Sequence, residues 1–296
     1  MVELIGAYQV SLLTTMGISV ILALSLNLIT GFCGQISLGH AAFYGAGAYG
    51  SAMLTTNGVS FWLALPAGAL VAGALGLVVG LASLRVRHDF LAITTMGVGF
   101  LFVGVVRQQD ALGGEMGIYA IPDPGLGRLG YMVLVVVLAG LVAAFSLYLK
   151  RSWMGFAFDA IAEDEDTARM VGIDAARYKL TAFAMGTAIA GVAGVLYAHE
   201  IKYIGPDSFG FPESIAMLAM VAVGGIGSVG GVAFAAVVMT VLPHWLQVVA
   251  EYKLLLYGAL LFAVMRFSPG GLAGLVRSWR ARAGRFGIAA TGKDEP

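Results

Sequence analysis

After Glu3, no Asp, Glu, Lys or Arg occurs until Arg85. A run of that length without a formal charge cannot be the surface of a soluble fold. It is also too long for one membrane helix, and it suits three spans of about 20 residues joined by short turns. Later segments keep the bias: 11% of the 296 residues are charged, against about 25% in a soluble domain, so there are too few charges to coat a globular core. Runs this apolar satisfy their backbone only as helices. The expected fold is all-α, a polytopic helical membrane protein.

Apolar windows fall at residues 10–29, 36–55, 61–84, 90–106, 129–149, 180–199, 213–223, 232–250 and 254–267, about eight or nine segments. The window 213–223 is too short to cross unaided and either spans with help or folds back. The window 254–267 spans only if Lys253 and Arg266 reach outward along their stems. With nine segments and an external N-terminus, Arg85, Arg87, the loop 150–179 and the chain from Arg266 onward share one side. That side holds 13 of the 17 Lys and Arg residues, and enrichment in these residues marks the cytoplasmic face. The expected organisation is a transmembrane domain over 1–268, carrying a cytoplasmic loop at 150–179, and a basic cytoplasmic tail over 269–296. Met1, Val2 and Glu3 lack the positive charge of a signal peptide, so the first window is expected to stay in the mature chain.

Several function classes are excluded early. Net charge is zero, which gives no basic surface for nucleic acid. Cys33 is the single cysteine; it makes no internal disulfide, and no Cys/His spacing points to a metal. There is no phosphate-cradling Gly-x-x-x-x-Gly-Lys-Ser/Thr, no HExxH and no Gly-x-Ser-x-Gly. The chain is therefore expected to be non-catalytic and to hold no cofactor, with any ATP bound by other subunits.

Two glycine-rich breaks interrupt the apolar windows. One runs from Thr30 through Gly31, Gly34 and Gly39 to His40; the other is Gly224–Gly231. Glycine lets the backbone leave the helix, and broken backbone at membrane depth survives only against protein or a water-filled cavity. Paired interruptions in two halves of a transporter point to its substrate path, while ordinary tight turns with close helix packing would look the same. The polar residues near the breaks are Asn27, Gln35, Ser37, His40 and Ser228, joined by Gly225 and Gly227 as a tentative path. None carries a fixed charge, which suits a neutral or zwitterionic solute. His40 reads as a hydrogen-bonded packing histidine before it reads as a catalytic or metal-binding one. Gly68, Ala72, Gly76 and Gly80, and again Gly186, Ala190, Gly194 and Ala198, place small residues every fourth position, the pattern that lets membrane helices approach closely.

The loop 150–179 is the one sizeable charged segment between spans. Its apolar residues, among them Phe158, Ile161, Ala168 and Met170, recur as in short amphipathic helices, and Gly172 is placed to end one of them. A solvated connector would need only a few residues, so this length points to a functional segment or a partner-binding one.

Taken in order, several segments resemble one family: 28–43 (LITGFCGQISLGHAAF), 84–95 (LRVRHDFLAITT), 113–118 (GGEMGI), 178–183 (YKLTAF), 190–194 (AGVAG), 206–209 (PDSF), the 224–231 break and 269–272 (PGGL). Over almost the whole chain the pattern is similar to the branched-chain amino acid ABC permeases of the LivM type. The resemblance implies an importer subunit for branched-chain or related small amino acids, or for amide- or urea-like solutes. It implies pairing with a second homologous permease, two cytoplasmic ABC ATPases and an extracytoplasmic (periplasmic) binding protein, in a bacterial inner membrane with its lipid. Residues 160–172 look like the family's ATPase-docking region, and Asp166-Thr167-Ala168 with Gly172 is similar to its Glu-Ala-Ala…Gly motif. Ile161, Glu163 and Glu165 fall in the same region. The chain departs from the pattern at His88, Leu112, Phe156 and Ala162, where Gly, Thr, Arg and Arg are usual. The rival readings are a stand-alone secondary transporter or channel, which would place charged coupling groups inside spans, and a membrane enzyme, which would need a catalytic constellation.

Overall fold

The computed structural model describes residues 6–83, 88–245, 253–267 and 270–274. Arg85, Arg87, Pro269 and the basic tail past residue 274 lie outside the described residues. Each apolar window corresponds to a helix: α1 (Ala7–Leu26), α2 (His40–Thr56), α3 (Phe61–Ser83), α4 (His88–Gln108), α5 (Gly127–Arg151), and, after two short helices α6 (Trp153–Glu163) and α7 (Glu165–Met170), α8 (Ala175–Ile201), α9 (Phe211–Gly224), α10 (Val229–Trp245) and α11 (Lys253–Phe267). The chain is an all-α, multi-pass membrane protein. A two-residue antiparallel pair, β1 (Ile118–Tyr119) with β2 (Tyr203–Ile204), supplies the strand content among the described residues.

Helix length separates two kinds of segment. Among the described residues, five helices are long and apolar enough to cross a bilayer: 7–32 (α1 with the turn that continues it), 61–82, 91–108, 127–151 and 175–201. By contrast α2 and α9 have 17 and 14 residues. At 1.5 Å per residue they reach about 25 and 21 Å, short of the roughly 30 Å hydrocarbon core. The window 36–55 is thus a helix only from His40 onward, and the window 213–223 is the 14-residue helix Phe211–Gly224.

Helix α8 is the hub. Lipid is as apolar as a leucine side chain, so helices associate through close packing rather than hydrophobic exclusion, and α8 packs through its small-residue stripe. Gly186 lies on Ser25 and Ile29 of α1, Gly194 on the backbone of Tyr44 and Ala48 of α2, and Gly191 on Gly68 and Ala72 of α3; a Cβ at any of the three would overlap its neighbour. The Tyr131 hydroxyl of α5 donates to Leu196 O at 2.6 Å, adding a polar tie to the same helix. Phe209, at the centre of an aromatic cluster with Tyr44, Tyr49 and Tyr197, closes the bundle towards the β1–β2 pair. The outward sides of α3, α4 and α5 present Leu70, Val78, Leu101, Val136 and Leu141 exposed, as a lipid-facing surface must.

Candidate functional site

Both glycine breaks lie at the end of the bundle that carries α6 and α7, called the loop face below. Helix α1 widens there into a π-helical turn, Asn27–Phe32, a form that recurs at functional sites. Gly34, at φ +69°, reverses the chain in a region open to glycine and costly for other residues. Residues 33–39 are non-helical and run back into the membrane, because α2 begins beside Ser25, seven residues before the turn ends: His40 Nε2 lies 2.8 Å from Ser25 Oγ. Backbone at that depth must be paired, and side chains of other helices do much of it. Leu38 N–H donates to Thr95 Oγ1 (3.0 Å) and Ala41 N–H to Ser214 Oγ (3.1 Å). Gln35 N–H reaches Ile29 O (3.1 Å), and Thr30 Oγ1 donates to Gln35 O (2.9 Å). Gln35, Ser37 and His40 are all buried. The segment is pinned among α1, α4 and α9.

The second break meets the first. Helix α9 stops at Gly224, Gly225 and Gly227 take φ values of +102° and +78°, and Ser228 Oγ accepts the Gly231 N–H at 3.3 Å to start α10. Gly225 packs on Gly270 and Gly271. Asn27 Oδ1 accepts the Gly227 N–H at 2.9 Å across 200 residues of sequence. Gly31 lies against the same residue so tightly that a Cβ on it would sit 2.6 Å from Gly227 N. The Gly227 carbonyl in turn accepts from the Lys150 ammonium, which also stands 5.4 Å over the Phe32 ring. Lys150 is the penultimate residue of α5 and lies three positions before α6. Asn27, Gly31, Gly227 and Lys150 thus form one joint between the two breaks.

The loop itself is a helix–turn–helix seated on that joint. Phe158, Ile161 and Ala168 are buried and fasten α6 and α7 to the bundle. Ala162 meets the first break directly, since a Cβ at Gly34 would lie 3.1 Å from its Cα. The Asp164 carboxylate caps α7 by accepting the Thr167 N–H at 2.9 Å; that bond holds its carboxyl below the usual carboxylate range. Glu165 pairs with Arg169 at 2.6 Å and with Lys179 of α8. Gly172 ends the loop at φ +87°, and Asp174 caps α8. Glu163, Asp166 and Gly172 face out, together with Trp153, Phe156, Met170 and Val171. Four large apolar side chains are thus exposed on this charged loop.

Two cavities lie further towards the opposite face. One, of about 300 Å³, is enclosed mainly by α1, α9, α10 and α11; Ile18, Leu22, Met217 and Met220 give it apolar walls, and Glu213 and Tyr197 polar ones. The other, of about 270 Å³, lies beside the start of α1 and α5 and holds Asp123, Arg128, His199 and Glu200. There Lys202 donates to Asp123 at 2.7 Å and holds that carboxyl below its usual range.

Sequence comparison bears on what this arrangement is for. The family described as the permease component of branched-chain amino acid transport systems matches residues 8–265. The chain belongs to that permease family. A protein of Salmonella typhimurium named high-affinity branched-chain amino acid transport system permease protein LivM is 34% identical over 300 residues, covering 91% of this chain and 71% of its own length. The protein of the same name from Escherichia coli K12 is 34% identical over 303 residues, with 92% and 71% covered. A Klebsiella pneumoniae protein named autoinducer 2 import system permease protein LsrC is 29% identical over 147 residues, 46% of this chain and 39% of its own. No solved structure shows a significant match.

Within this permease, the structure brings Asn27 and Gly227 together, keeps Gln35, Ser37 and His40 in the re-entrant segment behind them, and sets Gly225 and Ser228 at the ends of the second turn. None of these seven lines either cavity described above. Of the loop residues, Ile161 and Ala168 point inward, Glu165 is half-buried in ion pairs, and Glu163, Asp166 and Gly172 are exposed. Sequence reasoning missed Lys150, which counts in a topology argument merely as one more positive charge. It also passed over Glu213, a carboxylate heading an otherwise apolar window, which lines the 300 Å³ cavity.

Proposed function

We propose that this permease is one membrane subunit of an ATP-driven importer for branched-chain or related small amino acids in a bacterial cytoplasmic membrane. Two separate ATPase subunits would dock on α6 and α7, a second similar permease would complete the pore, and a binding protein would deliver solute at the opposite face. The loop face, and with it the C-terminus, would be cytoplasmic. The observation that carries the reading is the direct connection between the loop and both helix breaks, through Gly34 against Ala162 and through Lys150 on Gly227. Displacing α6 and α7 must pull on the joint, because Lys150 and α6 are separated by two residues of chain. ATP-driven closure of the ATPase pair would then part Asn27 from Gly227 and open the cytoplasmic side.

Thiol labelling tests the arrangement. In a Cys33→Ser background, Glu115→Cys should react with an impermeant reagent in intact cells. Asp164→Cys should react only after lysis, and less once the ATPases are bound. The reverse pattern would overturn the orientation, and labelling of Asp164→Cys that ignores the ATPases would overturn the docking.

A further inference from the structure

We infer that the 270 Å³ cavity beside the starts of α1 and α5 is a lipid site. Its ligand is a phosphate diester carrying a primary ammonium, the headgroup chemistry of phosphatidylethanolamine. The inference rests on the membrane fold and not on the importer reading. Depth is the first observation. Every lining residue lies within a few residues of a span end. Ser11 is fifth in the span 7–32, Tyr131 fifth in 127–151, and His199 third from the end of 175–201. Four residues of helix rise about 6 Å, and the headgroup layer on each side of the hydrocarbon is about 5–8 Å thick. The cavity therefore sits at headgroup level, with Ser11, Tyr131 and His199 at its inner end. The two helices that start there face lipid: Tyr8 and Leu13 on α1 and Val133 on α5 are exposed, and tyrosine is enriched at the membrane interface.

The second observation is which polar groups of the lining already have partners. Lys202 and Asp123 neutralise one another at 2.7 Å. Arg128, exposed at the second position of α5, makes no ion pair or hydrogen bond among the described residues. It is the cation left for a phosphate, which a guanidinium grips through two parallel N–H donors. Glu200 is half-buried and accepts from the Ser11 hydroxyl at 2.7 Å, with no counter-charge among the described residues. The third observation is His199, which is buried. Its Nδ1 lies 2.8 Å from Val195 O; a carbonyl can only accept, so Nδ1 carries the proton. Nε2 is then an acceptor, buried and without a partner, which costs free energy until a donor fills it. A primary ammonium brings one positive charge and three N–H donors, answering Glu200 and Nε2 together. A quaternary ammonium brings no donor, and a glycerol headgroup brings no positive charge. One bound lipid ties together the outer ends of α1, α5 and α8.

The test is native mass spectrometry of the full chain in detergent, titrated separately with phosphatidylethanolamine, phosphatidylcholine and phosphatidylglycerol of identical acyl chains. The parent should retain one phosphatidylethanolamine with a Kd roughly tenfold below that of either other lipid, the weight of about one charge-assisted hydrogen bond. Glu200→Gln keeps an acceptor for Ser11 but loses the charge, so the preference over phosphatidylcholine should disappear. Arg128→Gln should weaken all three lipids, because the phosphate is common to them. Glycerophosphoethanolamine, the same headgroup without chains, should compete only at far higher concentration; competition at the lipid's own Kd would overturn the lipid assignment in favour of a soluble ligand. Equal retention of the three lipids by the parent would overturn the inference. So would a preference that survives both substitutions in variants whose thermal unfolding matches the parent, since the lipid would then be bound elsewhere. The lipid comparison on the parent needs no variant, so a misfolded one leaves the inference open to refutation. Leucine uptake plays no part in the readout, so failure of the importer reading and failure of this site are separately visible.

Discussion

Lys150→Met isolates the joint with little disturbance elsewhere, because the methionine keeps the apolar stem and loses the ammonium. The ammonium makes one charge-assisted hydrogen bond, to Gly227 O, and one cation–π contact, to Phe32. Such a hydrogen bond contributes about 1.5–3 kcal/mol and such a contact about 0.5–1 kcal/mol. Lys150 is half-buried, so the lower ends apply, and about 2 kcal/mol is lost from the closed joint. That weight moves an open–closed equilibrium by up to about 30-fold. The assay is leak: vesicles containing the full importer are loaded with labelled leucine, ATP is withheld, and efflux is followed. Lys150→Met should leak up to about 30-fold faster, while Lys150→Arg, which keeps a donor for the same carbonyl, should stay near the parent rate. Efflux from Lys150→Met equal to the parent would refute the claim that this contact holds the joint shut.

Other substitutions read the remaining parts. Gly227→Ala forces a side chain into φ +78°, costing roughly 1–2 kcal/mol, and crowds Gly31 O at 2.9 Å; it should lower uptake more than membrane abundance, read by transport and immunoblot on one sample. Ala168→Pro removes the donor to Asp164 O and costs about 3 kcal/mol inside a helix; abundance should be normal, with ATPase stimulation and uptake lost, and full transport would rule out a docking helix there. Asp164 has a folded pKa below its unfolded one, so its contribution is present above the unfolded value and fades as pH falls through the folded value. ATPase docking should weaken over that acidic interval in the parent and show no such step in Asp164→Asn, whose amide still caps α7 at neutral pH.

The helical segments were legible because apolar windows separated by turns leave little choice of element; how many of them cross was not, since five helices among the described residues are long enough to span and α2 and α9 are shorter. The small-residue stripes were legible because a four-residue spacing survives as a helix face, and α8 packs through it. The breaks could be placed along the chain but not against each other. Nothing in the local pattern says that Asn27 and Gly227 share a hydrogen bond across 200 positions. Asp164 is the cap of α7, a role that depends on where that short helix begins. Lys150 and Glu213 escaped for a common reason: the meaning of one charge at a span end depends on which backbone or cavity lies beside it, and only the tertiary fold decides that.

The most direct measurement is ATP-driven uptake in reconstituted vesicles. This chain, its partner permease and the two ATPases are placed in the bilayer, with ATP inside and binding protein with labelled leucine outside. The account predicts accumulation that requires internal ATP and the binding protein, and none from vesicles holding this chain alone. Accumulation by the chain alone, driven by an ion gradient, would contradict it.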